Sequence, residues 1–247
     1  MEKEYVKNHL LGKTIVFDGD SICHATSESN DNPNRGWAYR IGDKNGMNWF
    51  NYAISGGTVT AEMYYTDAKG KHARHWVSRS IDKIKEKHES VDYLVFEGGT
   101  NDADLLGIGS KKFGEFSPAD FSGNYDDSTF TGALESLFYK SICYYPTAKI
   151  GYIVAHRMGR PDVGYGPNFK RRHYFLRAIE VCKKWGVPYL DLWEKSTINP
   201  SLVCHYDPKL SVEENIKAGK PLMDGQHLTG VGYDMVSPMI EEWIRGL

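Results

Sequence analysis

The 247-residue chain contains few cysteines, no long apolar run and almost no net charge. Its four cysteines lie far apart and form no CxxC pair, so the spacing predicts neither a zinc site nor a dense disulfide framework. No stretch approaches the roughly 18 apolar residues of a membrane span. Acidic residues interrupt the first residues, where a secretory signal needs an apolar run. These features predict a cytoplasmic protein with reduced thiols and no membrane partner.

The charges are nearly balanced, with 30 Lys and Arg against 32 Asp and Glu, giving a formal net charge of −2. This balance disfavours a basic footprint for nucleic acid and a polybasic membrane anchor. With 40% hydrophobic residues, the composition also disfavours a disordered chain. A chain of this length can bury a large core, so we expect one domain over residues 1–247. The sequence gives no indication of the oligomeric state.

Short apolar runs alternate with segments of helical spacing. The runs are closed by Gly or polar residues, as expected for strands buried on both faces, and span residues 14–17, 49–54, 91–96, 149–155 and 187–192. Apolar side chains recur on one helical face in four segments that begin near Val77, Leu134, Phe175 and Met235. This alternation predicts a parallel sheet with helices on both faces. In such sheets ligands gather at the carboxyl ends of the strands.

Polar segments stand at three of these strand ends, and a fourth precedes the last helix. They are Gly19-Asp20-Ser21, Gly56, Gly99-Thr100-Asn101-Asp102 and Asp224-Gly225-Gln226-His227. Each segment alone is a weak signal, but the four in this order resemble the SGNH hydrolase superfamily, the GDSL-type esterases and lipases. The resemblance extends over nearly the whole chain. It implies a three-layer α/β/α sandwich whose five-stranded parallel sheet has the flavodoxin-like order 2-1-3-4-5.

The residue types fit acyl-transfer chemistry, which needs a nucleophile, a base and a group that orients the base. Ser21 is the expected nucleophile, with a hydroxyl that faces solvent just past a strand. His227 is the expected general base, because histidine titrates near neutrality. Asp224 lies three residues earlier, so one turn brings its carboxylate to the imidazole, where it fixes the tautomer. The sequence gives no reason to expect a metal or an organic cofactor.

The resemblance further implies an oxyanion hole made by the backbone N–H groups of Ser21 and Gly56 and the side-chain amide of Asn101. Glycine suits position 56 because a side chain there would hold the backbone away from the substrate. Gly57 remains an alternative donor to Gly56. Asp20 and Asp102 are expected to support these loops by accepting hydrogen bonds from backbone N–H groups.

Two other classes of function are open to test. The run that ends in Asp18-Gly19-Asp20 also resembles the first motif of haloacid-dehalogenase-type phosphatases, in which Asp18 would be the nucleophile, Asp20 the acid/base and Mg²⁺ a requirement. That interpretation leaves Gly56, Asn101 and His227 without a role. A non-catalytic binding module is disfavoured because nucleophile and base are both present. No G-x-S-x-G elbow occurs, which disfavours an ordinary α/β-hydrolase.

The substrate is less constrained by the sequence. A long insert loop at about residues 105–130 follows Asn101, and we expect it either to wall the site or to form a packed surface excursion. A second loop, residues 157–168, contains Arg157 and Arg160, candidates for binding an acidic group. Many aromatic rings and no long aliphatic run favour an acetyl ester of a carbohydrate as substrate. A short-chain esterase or lysophospholipase-like activity is the alternative.

Overall fold

A computed structural model describes residues 8–25, 36–159 and 169–247. Its centre is a five-stranded parallel sheet in the order β2-β1-β5-β6-β7. The strands are β1 (Thr14–Asp18), β2 (Asn48–Asn51), β5 (Tyr93–Glu97), β6 (Lys149–Val154) and β7 (Tyr189–Asp191). With the two strands of a separate hairpin set aside, this is the 2-1-3-4-5 order that the resemblance implies, so the predicted fold class is confirmed.

Two of the predicted strands, at 49–54 and 187–192, extend past the observed carboxyl ends, because polar side chains turn the chain there. The run at 49–54 stops being a strand at Asn51, whose side chain accepts a hydrogen bond from the Ala53 N–H at 3.1 Å and turns the chain. The run at 187–192 ends at Asp191, whose carboxylate accepts the N–H groups of Trp193 and Glu194. The Asp191 bonds cap the helix that follows and replace the strand ladder.

The helices of the described chain cover both faces of the sheet. Trp243 of the last helix would collide with a Cβ on Gly151 of β6, whereas Phe138 packs against the next residue, Tyr152, on the opposite face. The structure confirms all four of the helices that the apolar spacing predicts, at Val77–Lys87, Phe130–Tyr144, Phe169–Trp185 and Gly230–Arg245. The helices are α1 (Ser21–His24), α2 (Trp37–Lys44), α3 (Val77–Lys87), α4 (Thr100–Leu106), α5 (Phe130–Tyr144), α6 (Phe169–Trp185), α7 (Leu192–Lys195), α8 (Val212–Lys217) and α9 (Gly230–Arg245).

The last helix is tied to one of the first. Helices α2 and α9 pack together, and polar bonds reinforce the contact. Glu241 accepts a hydrogen bond from Lys44 Nζ at 2.8 Å and another from Arg245 at 2.8 Å. Arg245 also bonds the side chain of Asn45, just beyond α2. Residues about two hundred positions apart therefore close one side of the fold.

A hairpin that the sequence patterns do not predict lies between β2 and α3. Its antiparallel strands are β3 (Tyr64–Asp67) and β4 (Gly70–Ala73), joined by a turn at residues 68–69. Both strands are largely exposed, so they lack the apolar alternation on which strand prediction depends. Arg74, directly after β4, donates a hydrogen bond to the Gly56 carbonyl at 2.9 Å. The hairpin is thus anchored to one of the candidate site loops.

The long insert loop packs along two helices, at residues 107–129. Phe113 stacks on His173 of α6 at 4.4 Å between ring centroids, and Phe121 lies edge-on to Trp185 at 5.2 Å. Beneath the loop, Lys184 of α6 forms an ion pair with Glu135 of α5 at 2.8 Å. The described contacts of the loop run to α5 and α6 and, through Asp127, to Arg79 of α3 and the Ala61 N–H; none reaches Ser21 or His227. They favour a packed excursion over a lid.

All four cysteines are free thiols. Cys23 and Cys182 are buried, whereas Cys143 and Cys204 are exposed. Burial raises the pKa of the Cys182 thiol well above its ordinary value, so this thiol is unreactive. Over the described ranges, no helix is both long enough and apolar enough to cross a bilayer.

Replacing Glu135 with Gln should destabilise the fold, because the Lys184 ammonium would stay buried without its charge partner. The two side chains are only 4% and 2% exposed, and breaking a buried pair costs about 3–5 kcal/mol. Urea unfolding followed by circular dichroism measures the change. The control is Glu180→Gln, which breaks the more exposed pair with Arg177 and should cost less than about 1 kcal/mol. Equal losses for the two variants would contradict the expectation.

Candidate active site

The turn after β1 places Ser21 at the edge of the sheet. Asp20 caps helix α1 by accepting the Ile22 N–H at 2.9 Å, and Ser21 is the first helical residue. Gly19 is required because a Cβ there would lie 2.9 Å from both the carbonyl oxygen and Oε2 of Glu97 on the neighbouring strand. The Gly-Asp-Ser sequence therefore combines a close backbone approach, a helix cap and a hydroxyl in one short turn.

Three predicted side chains from the two ends of the chain meet at this turn. Ser21 Oγ lies 2.9 Å from His227 Nε2, and His227 Nδ1 lies 2.8 Å from Asp224 Oδ2. When the Nδ1–H of His227 donates a hydrogen bond to Asp224, the lone pair of Nε2 faces the serine hydroxyl. Ser21 as a whole is only 6% exposed, so it is more enclosed than the sequence-based expectation of a solvent-facing hydroxyl.

Asp224 is held as a carboxylate by its own turn. Its Oδ1 accepts the backbone N–H groups of Gln226 at 3.0 Å and His227 at 2.7 Å. Burial by itself would raise the pKa of this carboxyl, but the hydrogen bonds and charge of His227 and the backbone bonds outweigh it and lower the pKa to about 2. Asp224 is therefore ionised at any pH near neutrality, and its second oxygen is free to orient the imidazole.

The candidate backbone donors of the oxyanion hole differ in whether their N–H groups already donate a hydrogen bond within the protein. Among the described hydrogen bonds, the Gly57 N–H donates to the Ile54 carbonyl at 2.9 Å, whereas none engages the N–H of Gly56 or Ser21. Gly56 has φ of +76°, in the left-handed region that favours glycine. This arrangement favours Gly56 over Gly57 as an oxyanion donor.

Asn101 enters the site from the start of α4. One hydrogen of its amide is donated to the Gly57 carbonyl at 2.8 Å. The second has Asp20 Oδ2 as a distant acceptor at 3.5 Å, which leaves it available for a ligand. Asn101 therefore links the Gly57 turn to the Ser21 turn.

Buried carboxylates join the loops, as the sequence predicts for Asp20 and Asp102. Asp102 accepts the N–H of Val59 at 3.0 Å and of Thr60 at 2.8 Å, so it fastens the segment after Gly57 to α4. Burial raises the pKa of Asp102 to about 6, although its backbone bonds oppose the rise. Both residues support the site from below.

A second group of hydrogen bonds surrounds Gln226 and holds the turn that carries His227. The sequence patterns give no indication of it. Arg171 of α6 donates to Asp104 of α4, with Nε to Oδ1 at 3.0 Å, and donates to the Gln226 side chain at 2.7 Å. The fully buried His156 is bonded through Nε2 to the Gln226 carbonyl at 2.9 Å, and burial lowers its pKa to about 4. These residues, far apart in sequence, hold the turn that carries His227.

The phosphatase interpretation is wrong. Asp18 is fully buried and accepts hydrogen bonds from the Gly19 N–H at 2.8 Å, from His75 at 2.7 Å and from Ser80, so it cannot act as an exposed nucleophile. Within the described ranges, no three His, Cys, Asp or Glu side chains cluster as a metal centre requires. Arg157 is half-buried, and Arg160 with the rest of its loop lies outside the described residues.

Comparison with solved structures shows the fold. A protein from Lactobacillus plantarum superposes with a TM-score of 0.68 at 18% identity, covering 96% of this chain and 99% of that one. A carbohydrate acetylesterase from Sinorhizobium meliloti gives 0.60 at 15% identity, covering 95% and 99%. The inhibitor-bound aryl esterase of M. smegmatis gives 0.59 at 15% identity, covering 96% and 100%.

A search of curated proteins gave no match. The model of the GDSL-like lipase/acylhydrolase family, in contrast, matches residues 17–235, a span that contains every block of the candidate site. Family, fold and site geometry agree: the chain belongs to the GDSL-like lipase/acylhydrolase family and is a serine hydrolase that acts on ester bonds.

Proposed function

We propose that the protein hydrolyses esters of small acyl groups through an acyl-enzyme at Ser21, and that its substrate is an acetylated carbohydrate. The observation that carries the mechanism is the unbroken path from Ser21 through His227 to Asp224, with steps of 2.9 and 2.8 Å. Ser21 and His227 are 206 positions apart. This separation supports one domain over the whole chain.

In the first half of the reaction, Ser21 Oγ attacks the ester carbonyl while its proton passes to His227 Nε2. The imidazolium is stabilised by the ionised Asp224 and then protonates the leaving alcohol, which departs and leaves an acyl-enzyme. In the second half, His227 takes a proton from water, the hydroxide attacks the acyl carbonyl, and the acid is released as Ser21 regains its proton.

Charge that develops on the carbonyl oxygen needs donors that are already in position. The uncommitted N–H groups of Ser21 and Gly56 and the second amide hydrogen of Asn101 serve this role. They belong to three different loops, so the hole depends on the support that Asp20 and Asp102 give those loops.

The proposal of a carbohydrate acetyl ester rests on the surroundings of Ser21 and on one structural neighbour. Polar side chains line the loops around the nucleophile: the Asn101 amide bonds the Gly57 carbonyl, and His24 Nδ1 lies 3.4 Å from Ser55 Oγ. Ser21 is almost enclosed, which suits a short acyl group. The S. meliloti protein, described as a carbohydrate acetylesterase, has the same fold.

A short-chain esterase without carbohydrate specificity is the second candidate, supported by the aryl esterase of M. smegmatis at a similar TM-score. Lysophospholipase-like activity has less support, because the insert loop lies along α5 and α6 and supplies no apolar cover to Ser21 in the contacts described above.

Replacing Asp224 with Asn should lower kcat by about 10³-fold or more, because an amide no longer selects the productive imidazole tautomer. Since the pKa of Asp224 is about 2, Asp224 stays ionised above pH 4, and its protonation should not contribute to the pH dependence of the wild-type rate in that range. Rate profiles between pH 4 and 9 measure both effects. Asp234→Asn, on the exposed side of α9, is the control and should behave as wild type. A kcat close to wild type in Asp224→Asn would argue against its role.

Ser21→Ala should abolish hydrolysis of p-nitrophenyl acetate, and Asn101→Ala should reduce kcat by about 10²–10³-fold, the usual cost of one oxyanion donor. Both variants should fold, which circular dichroism checks. Labelling with a fluorophosphonate separates the roles: Ser21→Ala should not label, whereas Asn101→Ala should label slowly. Normal turnover by folded Asn101→Ala would remove it from the oxyanion hole.

Among p-nitrophenyl esters, acetate should give the highest kcat/KM, with a steep fall towards octanoate, because Ser21 is closely enclosed. Release of acetate from acetylated xylan and acetylated monosaccharides, measured against the Ser21→Ala background, tests the carbohydrate part of the proposal. A maximum at octanoate would refute the small-acyl assignment. Hydrolysis of p-nitrophenyl acetate without acetate release from any sugar would favour the general short-chain esterase.

A further inference from the structure

Two carboxyl groups lie in contact beneath the nucleophile turn. Asp20 caps α1, and Glu97 is the last residue of β5; both are fully buried. The Asp20 N–H donates to Glu97 Oε2 at 3.3 Å, so the two buried carboxyl groups lie close together. The second oxygen of Glu97, Oε1, is buried and receives no hydrogen bond. No step of the hydrolysis described above uses Glu97.

Two buried carboxylates in contact cannot both be ionised without a large cost. Burial, followed by the charge and hydrogen bond of Asp20, raises the pKa of Glu97 well above its ordinary value. Asp20 has more reason to be the anion, since it accepts the Ile22 N–H. The proton of the pair therefore belongs on Glu97.

We propose that Glu97 is a positioning residue that works as a neutral carboxylic acid, donating a hydrogen bond to the Asp20 carboxylate and accepting one from the Asp20 N–H. The inference rests on the proposed function for its effect on rate. In this state Glu97 forms two hydrogen bonds with Asp20, one as donor and one as acceptor. An ionised Glu97 has no hydrogen to donate and could form only the second.

The two hydrogen bonds to Asp20 are important because Asp20 caps helix α1, which begins with Ser21. Helix α1 has only four residues, too few to persist without its cap. The direction of the Ser21 N–H and hydroxyl therefore depends on Asp20. The other Asp20 oxygen lies 3.5 Å from the Asn101 amide. A shift of Asp20 would disturb the nucleophile and two oxyanion donors together.

Other titratable groups also act on the pair. They lie on several elements: Cys23 on α1, Asp102 on α4, Tyr152 on β6, Arg171 on α6 and His227 before α9. The Cys23 thiol and the Tyr152 hydroxyl are neutral, because burial raises the pKa of both. A side chain at position 97 that donates a hydrogen bond and never ionises should remove the pH-dependent ionisation of the pair, while these neighbouring groups stay as they are.

The experiment compares Glu97→Gln with Glu97→Leu. Gln has both a donor and an acceptor and mimics the protonated acid, so its kcat and KM should stay close to wild type. Leu has neither, so kcat should fall by about 10²-fold, the size of a lost oxyanion donor, while KM changes little. The exposed Glu180→Gln is the control for the substitution itself. A Gln variant as impaired as Leu, or a Leu variant as active as wild type, would overturn the proposal.

Two readouts do not depend on catalysis. The infrared carbonyl band of a protonated carboxylic acid should be present in the wild type in D₂O at neutral pH and lose intensity in Glu97→Gln. The raised pKa of Glu97 gives a stability contribution that is complete below about pH 4.5 and is lost as pH rises. Gln does not ionise, so Glu97→Gln does not lose this contribution. The Tm of Glu97→Gln relative to that of the wild type should therefore increase towards alkaline pH. An unchanged infrared band would overturn the protonation assignment even if Glu97→Leu did not fold. A wild type without esterase activity would instead refute the proposed function.

Discussion

The parallel pairing of β1 with β5 is the constraint on which the site depends. Its register sets Asp18 opposite Phe96, so the turns after the two strands leave the sheet side by side. One turn carries Ser21 and the other carries Asn101. The neighbouring pairing of β1 with β2 brings the loop of Gly56 to the other side of the same turn. The position of β1 between β2 and β5 thus decides which loops can share a substrate.

Such close packing of loops puts acidic side chains where water cannot reach them. Asp18, Asp20, Glu97 and Asp102 are all fully buried near the ends of β1 and β5. Asp18 accepts hydrogen bonds from His75 and Ser80, Glu97 accepts one from the Asp20 N–H, and Asp102 accepts one from the Thr60 N–H, so these side chains fix one segment against another. Hydrogen bonds offset the cost of burying these acidic groups. The same hydrogen bonds make the donors of the site rigid before a substrate arrives, which is the condition for electrostatic stabilisation of a transition state.

The sequence predicts those parts of the structure that rest on local patterns. Residues such as Ile15 and Leu94 lie in unbroken apolar runs, and the central strands follow from them. Ser21, Asn101 and His227 stand in short motifs whose order is informative. The hairpin could not be predicted, because its strands are exposed and therefore carry no burial pattern. Arg171 has no local signature either, since its partners are 67 and 55 positions away. Glu97 did carry a signal: a carboxylate at the end of a strand that is apolar on both faces needs a reason to be buried.

The bonds between α2 and α9 have a consequence for how the protein is made. Lys44 and Glu241 are 197 residues apart, and His227 belongs to the same late segment. A ribosome completes β1, β2 and most of the sheet long before the partners of α2 emerge. Throughout that interval the nascent chain carries Ser21 without Asp224 and His227. A chain that ends before residue 224 therefore cannot form the path of hydrogen bonds from Ser21 to Asp224.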